Sequence, residues 1–310
     1  VTDIPEDVSP LTDKAVARVS HPKESAHWYD LKNHLQVLEV PRAKGKGMRP
    51  ATLRDAREHG YGYGVTTITG SAHRQQLVTW MRRQSIKATV DYLRAAMADG
   101  KMIDNLCAGL SRAVSLGKSA QPEWLDHLAA VEALADAPRD TAADTGTDIH
   151  SAVQAAIEGR SVDACYRDHV AGILAILPKG QTWLAEQCVT HSSGFGTKVD
   201  LMSFDWLLDF KSKDGDQAAM DAMPLYDDHH MQLAAGDNAA AQMRGEIRDP
   251  NDRRGCAIVF ISRTHPGACS LRVASNQDLE QGWEMFQALL AYRKAKDNYY
   301  PYGTEPVPEF

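Results

Sequence analysis

The chain has 310 residues and a mass of 34.1 kDa, with 43% apolar and 24% charged residues, which supports a buried core and excludes wholesale disorder, collagen-like repetition and coiled-coil composition. Lys and Arg number 34 against 41 Asp and Glu, a formal net charge of -7 that, taken as a total, argues against a nucleic-acid partner. No stretch approaches the roughly 20 apolar residues of a membrane-spanning helix, and Val1-Thr2-Asp3-Ile4-Pro5 lacks the regions of a signal peptide, so an intracellular protein is expected.

Residues 1–60 are rich in Pro, Gly and charge. The run from Pro41 through Lys44 and Lys46 to Pro50 has little to bury and reads as a basic, partly irregular arm, and the start at Val1 rather than Met suggests missing N-terminal sequence. From Arg74 to Ala98, the residues Leu77, Trp80, Met81, Ile86, Val90, Leu93 and Met97 support one or two amphipathic helices. Helical pieces follow at about 103–116 and 122–136, so 61–145 reads as a helical region. Its last part, 136–146, is small and polar and reads as a linker. Beyond it a unit spanning 146–297 is expected, with helices at 147–158 and about 163–177 and strands at about 182–190, 196–203 and 206–212. A helix at about 225–243, strands near 256–262 and 270–274 and a helix at about 277–296 complete the unit, before an irregular tail at 298–310. The five cysteines are widely spaced with no C-x-x-C pair, which disfavours a zinc ribbon or an iron-sulfur cluster and predicts reduced packing residues.

The segment Gly194 to Lys213 carries the most chemical information. Strand alternation puts Lys198 and Asp200 on one face with Val199 and Leu201 on the other, and likewise Asp209 and Lys211 opposite Leu208 and Phe210. A tight turn centred on Phe204-Asp205 sets Asp200 across from Asp209; Phe-Asp is not a preferred two-residue turn, and a longer loop would shift this register. Facing carboxylates lie roughly 4.5 to 5.5 Å apart at Cβ and repel, so the pair calls for a cation. A divalent ion there would polarise a phosphodiester oxygen and acidify a bound water, Mg²⁺ and Mn²⁺ suit carboxylate and water ligands, and Lys211 can stabilise charge growing on the phosphate. Glu186, on the preceding strand, faces Asp200 if its loop is centred near Ser193.

The sequence Asp200, a short hairpin, Asp209-Phe210-Lys211, and then a helix carrying Gln232 resembles the PD-(D/E)XK nuclease superfamily, and within it the RecB-like and phage exonuclease branch. Gly146-Thr147-Asp148-Ile149-His150 is similar to that branch's helix-start motif, and Gly64-Val65-Thr66-Thr67-Ile68 with Leu77-Val78-Thr79-Trp80 is similar to the N-terminal region of such phage proteins. The resemblance implies an α/β, mixed α+β fold: a restriction-endonuclease-like core with a central mixed sheet flanked by helices, plus the N-terminal helical region. It implies catalytic roles for Asp200, Asp209, Lys211, Glu186 and Gln232. It also implies one or two Mg²⁺ or Mn²⁺ ions held by His150, Asp200, Asp209 and the Phe210 backbone carbonyl. The activity implied is exonucleolytic hydrolysis of DNA in recombination, repair or end processing, by a phage protein in the cytoplasm of a bacterial host cell. Candidate partners are DNA, a recombinase or single-strand-binding protein, and further copies of the chain in a ring. Two departures stand out: Gly236 replaces the Tyr of the family's Gln-x-x-x-Tyr motif, and Val199 stands at its Pro.

Each residue also has a plainer reading. A lone D-x-K is commonly a surface ion pair, a helix-start His commonly bonds locally, and Gln232 and Glu186 can be an exposed helix residue and a structural partner. Neighbouring helix residues point about 100° apart, so His229-His230 reads as packing or solvation rather than a zinc site. Between residues 41 and 94, eleven Lys and Arg against three acids give a local balance of +8, interleaved with Tyr61, Tyr63 and Trp80. That pattern is either a solvated face or a DNA contact; Arg74, Arg82, Arg83, Lys87, Lys44 and Lys46 are the contact candidates. The competing functions are a DNA exonuclease, a structure-specific endonuclease, and a non-cleaving DNA-binding or assembly module on a degenerate nuclease fold.

Overall fold

A computed structural model describes residues 27–42, 46–72, 75–101, 103–246 and 254–301. Its elements in chain order are β1 (Trp28–Asp30), β2 (Leu35–Val37), β3 (Glu39–Pro41), β4 (Met48–Pro50), α1 (Leu53–His59), β5 (Gly62–Gly64), α2 (Val65–Thr69), α3 (Gln75–Ala98), α4 (Ile103–Leu116) and α5 (Pro122–Ile157). There follow α6 (Arg167–Ile176), β6 (Leu184–His191), β7 (Phe195–Met202), β8 (Trp206–Lys213), α7 (Gln217–Asp221), α8 (Asp227–Arg244), β9 (Gly255–Ser262), β10 (Cys269–Val273) and α9 (Asn276–Asp297). The chain thus folds as a mixed α/β protein with a central mixed sheet flanked by helices, as its sequence predicts. Among the described residues no helix is long and apolar enough to cross a membrane.

The main sheet runs β10-β9-β8-β7-β5-β1-β2, with β6 on the other edge of β7. The pairs β8–β9 and β5–β7 are parallel and the rest antiparallel. Parallel neighbours need a crossover, and α7 and α8 supply it between β8 and β9. Strand β9 is continuously apolar because both its faces are covered. Cys256, Ile258 and Phe260 enter one core, shared with residues of α2, α8 and α9; Ala257, Val259 and Ile261 enter the other, shared with α5 and α6. Small residues bring α8 close to its neighbours. Ala234, Ala235, Ala239 and Ala240 are buried, and a Cβ on Gly282 of α9 would lie 2.6 Å from the backbone of His230. The N-terminus of α9 is closed by a capping box between Ser275 and Asp278.

Several expectations are corrected. The expected N-terminal arm is part of the fold from residue 27: β1, β2 and β5 extend the main sheet and β3–β4 form a hairpin. Arg49 of the basic run makes two hydrogen bonds of 2.7 and 2.6 Å to Asp55, closing the start of α1. The expected linker at 136–146 lies inside α5, so the expected boundary at 146 falls within a helix. There the Thr145 and Thr147 hydroxyls fold back on the carbonyls of Thr141 and Ala143, satisfying polar side chains without leaving the helix. Tyr63, expected among DNA-facing aromatics, is fully buried against Trp28 and Tyr299. The tail is anchored as far as Tyr299, whose hydroxyl donates to the carbonyls of Ala56 and Tyr61 at 2.7 and 2.6 Å; 302–310 lie outside the described residues.

Candidate active site

The hairpin β7–β8 closes through the two-residue turn Phe204-Asp205, with Ser203 N donating to the Trp206 carbonyl at 2.8 Å. The pairs Leu201–Leu208 and Met202–Leu207 give the expected register, which continued one step sets Asp200 opposite Asp209. One edge of β7 is taken by β6. The other is divided: β8 pairs at Leu201 and Met202, and β5 pairs at Phe195 and Gly196. Between them β7 and β8 fork, and Asp200 fills the fork by accepting from Phe210 N–H at 2.6 Å through its carboxylate.

Alternation along β6 and β7 inverts at this point. Ala185 and Leu201 lie in the α5/α6 core, but Val189 and Val199 lie in the α8/α9 core, so Val199 and Leu201 do not share the face expected of them. The inversion coincides with Glu186, whose φ is 55°, and the ladder pairs 185 with 201 and 187 with 199 without the pair between. A non-glycine residue in the left-handed region costs of order 1–3 kcal/mol, and such strain gathers at functional sites. Here it sets the Glu186 carboxylate beside Asp200.

Helix α5 delivers His150. One turn earlier Gly146 rests on β8: a Cβ there would stand 2.6 Å from Ser212 Oγ, so glycine lets the helix descend onto the strand. His150 Nδ1 lies 3.3 Å from Asp200 Oδ1, and its ring sits edge-on to Phe210 with centroids 5.3 Å apart. Ligand atoms of His150, Glu186 and Asp200 all lie within 4.8 Å of one another. Asp209 is ion-paired with Lys211, and Lys211 Nζ donates to Gln232 Oε1 of α8 at 2.9 Å. Glu186 is ion-paired with Lys198, a diagonal neighbour across the ladder.

Electrostatics separate the two aspartates. Burial opposes ionisation of Asp200, but the His150 hydrogen bond and charge, the Phe210 N–H and the Lys211 charge outweigh it and hold its pKa below the usual range. Asp209 is pushed up, by burial and then by the Asp200 charge, with Lys211 only partly compensating. Burial likewise disfavours the charged forms of His150 and Lys211, yet the surrounding carboxylates raise both. A set of carboxylate oxygens and one imidazole, without thiolate, fits Mg²⁺ or Mn²⁺.

The structure therefore gathers His150, Glu186, Asp200, Asp209, Lys211 and Gln232 in one place. It also adds Lys198, whose only sequence signal was its position two residues before Asp200. The DNA-contact candidates are elsewhere. Arg82, Arg83 and Lys87 are exposed on α3, which packs against α4 and α5, and Lys46 is exposed in the β3–β4 loop; Arg74 and Lys44 lie outside the described residues. His229 is buried against Phe260, its Nδ1 accepts from Tyr226 N–H at 3.2 Å, and burial lowers its pKa to about 4, a packed residue closing the start of α8. All five cysteines are free.

No protein-family model and no curated protein matches the chain. Among solved structures, an alkaline exonuclease (LHK-Exo) from Laribacter hongkongensis is similar over 49% of this chain and 81% of its own, with 15% identity and a TM-score of 0.31. Likeness at this level fixes neither fold nor activity, which rest on the geometry of the site itself.

Proposed function

We propose that the chain is a metal-dependent deoxyribonuclease of the PD-(D/E)XK superfamily, RecB-like or phage exonuclease branch, hydrolysing linear DNA from an end during recombination, repair or end processing. The observation that supports this best is the convergence of His150, Glu186 and Asp200 within 4.8 Å of one another, beside the Asp209–Lys211 pair. His150, Glu186, Asp200, Asp209 and the Phe210 carbonyl would hold one or two Mg²⁺ or Mn²⁺ ions. When bound, the metal supplies a Lewis acid for the phosphate and a water of lowered pKa.

The chain's own residues do the rest. Lys211, fixed between Asp209 and Gln232, presents a cation to the charge that grows on the phosphate, an electrostatic contribution delivered without reorganisation. Asp200, anchored by Phe210 N–H, keeps its carboxylate ionised and in place. Gln232 fixes the lysine from α8, and the bulk of a Tyr is absent one turn on because Gly236 packs directly over Leu207 and Thr197.

The test is to incubate linear and covalently closed circular DNA with Mn²⁺, Mg²⁺ or a chelator. Metal-dependent loss of linear DNA only, abolished in Asp209→Ala and Lys211→Ala variants that retain wild-type circular dichroism, is the expected result. Cutting of closed circles would turn the assignment to an endonuclease. Undiminished activity in either variant would remove the site assignment, and no degradation under any condition would leave a non-cleaving DNA-binding module.

A further inference from the structure

Lys198 is not among the residues to which the resemblance gives a role, yet it occupies a decisive position. Its ammonium is ion-paired with Glu186, one of the three residues that converge as a metal site, and its side chain is 41% exposed while that of Glu186 is 17% exposed. It also lines a cavity of about 60 Å³ beside Asp209, together with Thr66, Thr197 and Gln232. Gly236 keeps that cavity open, since a Cβ there would already lie 3.3 Å from Leu207. Lys198 further lowers the pKa of His27, after burial, so its charge is felt across this edge of the sheet.

The same Glu186 carboxylate cannot serve Lys198 and a divalent ion at full strength. We propose that Lys198 is a metal-released phosphate ligand: an ion entering between His150, Glu186 and Asp200 displaces the lysine from Glu186, and the freed ammonium binds a phosphate of the DNA strand at the adjoining cavity. Metal capture and phosphate capture are then coupled by one exchange of counter-ions. No covalent bond is made or broken in it. Before the ion arrives, Lys198 neutralises a carboxylate that would otherwise repel Asp200; afterwards the metal does so, and the lysine's charge faces the substrate. The hydroxyls of Thr66 and Thr197 and the amide of Gln232 offer the hydrogen-bonding partners a phosphate needs once a cation is present.

This inference rests on the metal-dependent nuclease reading, and the experiment separates the two. Mn²⁺ binding is measured by calorimetry, and binding of a short linear duplex is measured with and without Ca²⁺, a second oxygen-seeking divalent ion. Wild-type protein should bind DNA more tightly with the metal. Lys198→Met should bind Mn²⁺ more tightly, since its competitor for Glu186 is gone, and should lose the metal-dependent gain in DNA affinity, a change of about tenfold for one charged phosphate contact. Lys198→Arg should restore that gain. Glu186→Gln should weaken Mn²⁺ binding and raise metal-free DNA affinity, and the rise should vanish in the Glu186→Gln/Lys198→Met double variant. A structural ion pair would give none of these opposed shifts. Wild-type protein that binds no Mn²⁺ overturns both readings. A wild type that binds Mn²⁺ and degrades DNA, with a Lys198→Met variant that keeps the full metal-dependent DNA gain, overturns the exchange alone.

Discussion

Gly146 decides how close α5 comes to β8, and so where His150 stands. Placing a methyl there sets Cβ 2.6 Å from Ser212 Oγ, while the next Ser212 atom, its Cβ, is 3.6 Å away at ordinary van der Waals distance. In Gly146→Ala the hydroxyl must turn away, giving up its 3.2 Å bond from Arg263 Nη1, or the helix must lift. Overpacking of this kind costs about 1–3 kcal/mol, against roughly 1 kcal/mol gained from alanine over glycine in a helix interior. Gly146→Ala alone should therefore be near neutral or destabilising by about 1–2 kcal/mol. In a Ser212→Ala background the obstruction is absent, Arg263 still donates to the Ser212 backbone carbonyl at 2.9 Å, and the same change should stabilise by about 1 kcal/mol. Urea denaturation of the four proteins gives the coupling, expected at about 1–3 kcal/mol, the overpacking cost itself. Mn²⁺ affinity should follow it, weakened in Gly146→Ala and recovered in the double variant. Additive effects, with unchanged metal affinity, would refute the claim that this contact seats His150.

Asp55 tests whether residues 49–59 belong to the fold. Its carboxylate is buried, accepts from Arg49 and Thr52, and is held far below the usual carboxylate range, first by the Arg49 hydrogen bond. Because the folded pKa is depressed, its contribution is complete above the unfolded value of about 3.9 and is lost as pH falls from there through the folded value. Asp55→Asn should cost roughly 1–2 kcal/mol at neutral pH, and the gap from wild type should narrow progressively in denaturation curves as pH falls below about 4; a gap independent of pH would exclude the ion pair as its cause. Tyr299→Phe should cost about 1–3 kcal/mol in thermal or urea unfolding, because the one O–H shared by the Ala56 and Tyr61 carbonyls is lost, and a neutral result would mean the end of the chain is not docked. His150→Ala should weaken Mn²⁺ binding without preventing folding, and unchanged binding would exclude His150 as a ligand.

The hairpin was legible from two strand-like runs of apolar and charged residues separated by a short gap. Its register was not, because Phe204-Asp205 is not a preferred turn pair; the structure supplies it through Leu201–Leu208 and Met202–Leu207, which set Asp200 against Asp209. The apolar run of β9 announces a strand covered on both faces, and α8 and α9 show in their length of 18 and 22 residues free of proline rather than in any apolar period. The strands β1, β2 and β5 do not, since three residues carry no period and β5 is Gly-Tyr-Gly. They join the sheet through close backbone approach: a Cβ on Gly64 would lie 2.8 Å from the His27 carbonyl, and one on Gly196 would lie 2.6 Å from the Tyr29 ring. Such contacts belong to tertiary structure and leave no local pattern. The face inversion at Glu186 was equally invisible, because nothing in a glutamate's identity signals a left-handed backbone. The small polar stretch at 136–146 misled for the opposite reason, since Thr and Asp are turn residues in isolation but tolerate a helix when their hydroxyls bond back to it, as Thr145 and Thr147 do, and when both flanks are helical.

The net charge of -7 says little about what the molecule binds, and the site shows why. Each of its carboxylates already has a partner of its own: Asp200 has the His150 ring, and Glu186 and Asp209 are ion-paired with Lys198 and Lys211. Two of the three carboxylates are thus balanced by lysines, from β7 and β8, and the third by an imidazole from α5. A monovalent ion gains nothing by entering, because it replaces a single charge with another that lacks the lysine's directed hydrogen bonds. A divalent ion can offset two carboxylates at once and sets a side-chain cation free. The charge that matters is therefore local and exchangeable: the balance of +8 over 41–94, in which the Arg49–Asp55 pair already cancels, includes Arg82, Arg83 and Lys87 exposed on α3, whereas the lysines beside the acids are the ones a metal would turn toward a phosphate.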